Sequence, residues 1–172
     1  MSKEIIEIIA NLALALSFII GLIFGLIQIK ALGRDRKERL TLETLRNYQS
    51  HTFAELMFKI NAAKIPKTFE EWRKLPDNDQ ILFLQFAQDM ESLGILVAER
   101  LINMDLVDKT LGSFVVTSWE KYKNMFLDIR EKQPDPFLGE YFQWLAEQID
   151  ERMRRNPREP FYKTRKSALH WK

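Results

Sequence analysis

The chain has no cysteine. That excludes disulfides, thiolate zinc sites and a cysteine nucleophile. Its two histidines are too few for a histidine-rich metal centre, and neither a metal nor a cofactor is expected. Six glycines and six prolines among 172 residues leave no low-complexity linker, and no internal repeat is present. No stretch alternates with a period of two, and hairpin dipeptides such as Asn-Gly are missing, so strands are not expected. Between Ile8 and Ile29 charge is missing altogether.

That uncharged run, "IIANLALALSFIIGLIFGLIQI", is the strongest signal in the chain. As a helix it is about 33 Å long, enough to cross a hydrocarbon core of roughly 30 Å. Its more than a dozen Leu, Ile and Phe residues each favour insertion by about 0.3–0.6 kcal/mol, which outweighs Asn11, Ser17 and Gln28. A signal peptide has a basic start, a shorter apolar region and a cleavage site. Here the start is mixed in charge, and Lys30, Arg34, Arg36, Lys37 and Arg39 follow the run in a stop-transfer pattern. The positive-inside rule puts this basic flank in the cytoplasm. The expectation is a single-pass membrane protein, N-terminus outside and the rest cytoplasmic.

The run also has a distinctive face. Gly21 and Gly25 form a small-residue pair that lets helices approach closely. The same stripe continues through Glu4, Glu7, Asn11, Leu14, Phe18 and Gln28. Polar side chains at membrane depth face other helices or water-filled cavities. Glu7, Asn11, Gly21, Gly25 and Gln28 are therefore candidates for helix packing or for lining a pore built from several copies.

The remainder reads as helices. The segment from Arg36 to Gln49 extends the membrane helix inward. Spacings at Thr52/Glu55 and Thr68/Glu71 look like capping boxes. Asp77 or Asn78 is expected to cap a long helix, and Asp105 another, which the "QPDP" stretch breaks. A final helix covers "FLGEYFQWLAEQIDERMRR". The aromatics Phe114, Trp119, Tyr122 and Phe126, and Phe137, Tyr141 and Trp144, fall at helical spacing and are read as core. The expected fold is all-α: a transmembrane helix over residues 1–32, a cytoplasmic helical bundle over 33–155 and a basic tail over 156–172.

The run "LGILVAERLINMDLVDKTLGSFVVTSWEKYKNMFLDIREK", with the later "YFQWLAEQ", resembles a widespread bacterial family of membrane-anchored helical proteins. The resemblance covers most of Arg36 to Gln148, and its motifs are packing motifs. Within that group, the length and the arginine–histidine spacings are most similar to the small transmembrane accessory proteins of type VI-B, RNA-targeting CRISPR systems. That likeness implies a homo-oligomeric pore that permeabilises or depolarises the inner membrane in antiphage defence, functionally linked to an RNA-guided effector. It also implies a divergent HEPN-type motif.

HEPN ribonucleases use an arginine followed, after four to six residues, by a histidine. Arg46 and His51 fit, and so do Arg165 and His170. The histidine would move protons at the 2′-hydroxyl and leaving oxygen while the arginine stabilises charge on phosphorus. Residues five apart on one helix lie about 140° apart, so Arg46 and His51 need a helix break near Ser50. Three functions stand: a pore, a membrane-tethered ribonuclease and a non-catalytic tethered adaptor. The basic tail suits, in order, the acidic middle of a neighbouring subunit, an anionic membrane surface, and single-stranded RNA.

Overall fold

Apolar side chains recur at Phe83, Phe86, Met90, Leu93 and Val97, the three-and-four spacing of one helix face, and all five are buried. The same logic organises the whole chain. The computed structural model describes residues 3–132, 135–160 and 163. It contains α1 (Lys3–Tyr48), α2 (His51–Ala62), α3 (Phe69–Arg73), α4 (Asp77–Ala98), α5 (Met104–Lys132) and α6 (Glu140–Arg155). No strand occurs among the described residues.

Helix α1 has 46 residues, about 69 Å of unbroken helix. It is long and apolar enough to cross a membrane. Its residues up to Arg39 are almost wholly exposed. The change comes at Leu40 and Thr41, where α1 first meets the other helices. The boundary expected after residue 32 therefore lies inside one helix. Helix α4 also passes the length and hydropathy test, but its apolar face is core.

Helices α2 to α6, with the last two turns of α1, share one core. Its centre is aromatic. Phe142 of α6 meets Phe86 of α4 and Trp119 and Phe126 of α5 at centroid distances of 5.7, 5.3 and 5.9 Å. These are edge-to-face contacts, the geometry ring quadrupoles favour. The α4–α6 approach is close because position 94 is glycine: a Cβ there would overlap the Tyr141 carbonyl.

Polar groups fix the helix ends. Tyr122 Oη donates to the Ile60 carbonyl at 2.7 Å, and Lys121 Nζ to the carbonyls of Ile60 and Asn61. These bonds satisfy carbonyls at the end of α2 that have no partner in their own helix. Burial pushes the Tyr122 hydroxyl up to about 12, so it remains a donor. The Glu91 carboxylate accepts from the amides of Tyr141 and Phe142. It caps α6 from a different helix, where negative charge is favoured.

Several expected details change. Helix α2 starts one residue before Thr52, at His51, and its cap is Ser50, whose Oγ accepts from the Phe53 amide at 3.2 Å. Ser50 is the residue in extended conformation, so its oxygen is the one that reaches the free amides. Thr68 does cap α3, accepting from the Glu71 amide; Glu71 reaches back to the Lys67 amide. Helix α4 begins after Pro76 without a side-chain cap, so Asp77 is its first residue, not its cap. At α5 the capping oxygen belongs to Asn103, which accepts from the Asp105 amide at 2.8 Å. Phe137 and Trp144 are exposed and Tyr141 half-exposed. The core face of α6 is instead Phe142, Leu145, Ala146 and Ile149, because α4 and α5 pack against that side.

Candidate functional site

A long apolar helix in water would not remain bare, so the surface of α1 is the first place to look for function. Between Ile5 and Leu32 every leucine, isoleucine and phenylalanine is about half exposed or more. Glu7, Asn11, Gly21 and Gln28 are exposed and Gly25 is partly covered. Among the described residues, a Cβ built on Gly21, Gly25 or Gly33 meets nothing within 4 Å. The notch is open to a neighbouring helix.

The direction of the notch follows from helical geometry. At about 100° per residue, Glu7, Asn11, Phe18, Gly21 and Gly25 cluster on one side of α1. The buried residues Thr41, Thr44 and Leu45 lie roughly opposite. The other helices therefore sit behind the strip and do not obstruct it.

Two hydroxyls lock α1 to those helices. Thr41 is completely buried. Its Oγ1 donates to the Lys37 carbonyl at 2.7 Å and accepts from the Asn103 amide at 2.9 Å. Tyr48 Oη donates to the Asp89 carbonyl at 2.7 Å. Burial, and secondarily the Asp89 charge, raises the Tyr48 hydroxyl well above its ordinary range. Burial also raises the Asp89 carboxyl. Neither hydroxyl was singled out from sequence. A threonine and a tyrosine near the end of an amphipathic helix carry no local mark of their long-range partners.

The Arg46–His51 pair sits at the turn between α1 and α2. The break near Ser50 that the pair requires is present. A cavity of about 370 Å³ opens beside it, lined by residues including Asn47, Tyr48, Thr52 and Asp89. Neither Arg46 nor His51 lines it. His51 is 87% exposed, and its Nδ1 lies 3.7 Å from Glu55 Oε1. Arg46 is exposed in the last turn of α1. Arg165 and His170 lie outside the described residues. Among the described residues no group of three or more His, Asp or Glu side chains is arranged to hold a metal ion.

The basic stretch that starts in the last turn of α6 pairs within its own chain. Arg152 binds Asp105, and Arg158 lies 3.2 Å from the Asp108 carboxylate.

A family profile matches residues 15–149, from within the apolar run to the buried Ile149. The chain belongs to that family, the domain of unknown function DUF4760. No curated protein and no solved structure matches the chain. The DUF4760 match treats the end of the apolar helix and the packed helices as one unit. It includes Gly21, Gly25, Gln28, Arg46 and His51 and leaves out Glu7, Asn11, Arg165 and His170.

Proposed function

We propose that this DUF4760 protein spans the bacterial inner membrane through α1 and assembles with its own copies into a pore. The observation that carries the reading is the open strip of Glu7, Asn11, Gly21, Gly25 and Gln28 on a bare helix, facing away from the packed helices. Small residues permit close backbone approach, and polar ones favour a wet interior. With the strips turned toward a common axis, the packed helices of each copy would lie on the outer side. The basic flank from Lys30 to Arg39 supports a cytoplasmic position for α2 to α6. The tie to RNA-guided antiphage defence rests on sequence resemblance alone.

The test is the full-length protein in planar bilayers, with its particle mass measured in detergent. The expected result is a multiple of the 20.4 kDa chain mass and a conductance lost in Gly21→Leu/Gly25→Leu but retained in His51→Ala. A monomeric particle, or a conductance indifferent to both glycines, refutes the pore. The ribonuclease reading draws less support, because Arg46 and His51 stand apart from the neighbouring cavity.

A further inference from the structure

We propose that one end of the packed helices docks on anionic phospholipid headgroups, using arginines of α6 and the α4–α5 turn together with the cations below the apolar run. The inference rests on α1 crossing the bilayer.

The contacts of α1 establish which end this is. Thr41 meets Asn103, and Tyr48, further along α1, meets Asp89. Helix α4 therefore runs antiparallel to α1, with its C-terminal end toward the apolar run. Helix α5 starts from that end and α6 returns to it, as the Arg152–Asp105 and Arg158–Asp108 pairs fix. Arg100, Arg152, Arg154, Arg155 and Arg158 thus gather at one end from segments far apart in sequence. The stretch from Ile29 to Thr41 rises about 18 Å, of which about 5–7 Å crosses the headgroup layer. The remaining gap is comparable to the Debye length of about 8–10 Å. Lys30, Arg34 and Lys37 fall on the side of α1 that carries Thr41, and so line the gap.

The ion pairs point the same way. On α1, Arg34 pairs with Glu38 and Arg39 with Glu43. On α6, Asp150 pairs with Arg154 and Glu151 with Arg155. The two helices run in opposite directions relative to the apolar run, yet in all four pairs the arginine is on the membrane side. For α1 this places the cation before the acid, the order less favourable to an isolated helix. Helix α5, which points away, keeps the ordinary acid-first order in Glu120–Lys123 and Asp128–Lys132. Helix stability accounts for the acid-first order on α6 as on α5, but not for the order on α1, which an anionic surface on that side favours. Asp105 and Asp108 are engaged by Arg152 and Arg158, and Glu38, Asp150 and Glu151 by Arg34, Arg154 and Arg155, which leaves Asp35, Glu99 and Glu159 as the remaining opposing charges near this end.

The experiment uses the full-length chain in lipid nanodiscs, either zwitterionic or with about 30% phosphatidylglycerol, a headgroup charge that attracts cations within a Debye length. Because the chain lacks cysteine, Glu99→Cys carries a single donor fluorophore, and the headgroups carry the acceptor. The expected result is greater energy transfer in anionic discs, returning to the zwitterionic level at about 0.5 M salt. Arg154→Gln/Arg155→Gln should lower the docked-to-free ratio roughly 25-fold, at about fivefold per cation. Both side chains are highly exposed, so the fold is retained, and the lipid and salt comparison needs neither change. Equal transfer in both discs, with α1 inserted, overturns the proposal. Equal transfer together with arginine-dependent binding of a single-stranded RNA overturns it in favour of RNA. Failure to enter discs of either composition removes the membrane-spanning reading and the proposal with it.

Discussion

Helices α1 and α4 are both long and apolar enough to cross a membrane, yet the chain uses them in opposite ways. On α4, Phe86, Met90 and Leu93 have no exposed surface. On α1, Leu14 and Phe18 are 69% and 73% exposed. The difference lies in the polar residues. Helix α4 places Gln85, Gln88 and Ser92 on a solvent side, so only one face needs cover, and α6, α2 and the aromatic side chains of α5 provide it. Helix α1 between Ile8 and Ile29 is apolar nearly all round, and no described residue covers it. Mean hydropathy does not separate a core helix from a bare one; the angular distribution of polar side chains does.

The largest expected effect tests that contrast directly. Phe142 is fully buried against Phe86, Trp119 and Phe126. Phe142→Ala should destabilise the packed helices by about 3–5 kcal/mol, the usual cost of a buried aromatic truncation. Leu14→Ala should leave their unfolding unchanged. Thermal or denaturant unfolding in detergent, followed by near-UV circular dichroism, reads both. Equal losses would mean that α1 and the core are one cooperative unit.

The glycines sharpen the comparison. Gly94→Ala forces a methyl group against the Tyr141 backbone and should cost about 1–3 kcal/mol by pushing α4 from α6. Gly25→Ala meets nothing among the described residues and should leave the unfolding midpoint alone, while shifting the particle mass if copies pack there. A change of midpoint at Gly25 would place that glycine in an intrachain contact.

Much of the architecture was legible because it is local. The uncharged run and the all-helical content follow from periodicity and composition; the break near Ser50 is only a requirement of the Arg46–His51 spacing, and it is present. The caps were less so. Thr52 has the spacing of a capping box, but the turn closes two residues earlier and Ser50 occupies the extended position. Asn103 displaces Asp105 for the same reason. Glu91 of α4 caps α6 across the fold, and no local pattern marks it. The site divides likewise: the glycine strip is periodic and visible, whereas Thr41 and Tyr48 gain their roles only from partners far along the chain. Tyr141 and Trp144 were misread because helical spacing identifies a face without saying which face turns inward.

A smaller effect checks the cap assignment. Ser50→Ala should cost about 1 kcal/mol, the usual value of an N-cap. Thr52→Ala, exposed and already inside α2, should cost little. A larger loss at Thr52 would move the start of α2 and with it the Arg46–His51 geometry.

The smallest expected effect is a local response to acid. The Asp128 carboxylate accepts from the Phe69 amide at 2.7 Å and pairs with Lys132 at 2.9 Å. The amide bond first, and the lysine second, hold its carboxyl below the usual range. A carboxyl depressed in the folded state contributes stability above its unfolded value, about 3.9, and loses it as pH falls through the folded value. Acidification below about pH 4 should therefore release the start of α3. The Trp72 indole resonance reports this, because Trp72 stacks on Phe69 with centroids 5.7 Å apart. Asp128→Asn should remove that titration step. The apolar part of α1 has no carboxylate between Ile8 and Ile29, so its helicity should stay constant over the same range. If the Trp72 step survives Asp128→Asn, another group anchors α3; if α1 loses helix in parallel, the two regions are coupled through the Thr41 contact.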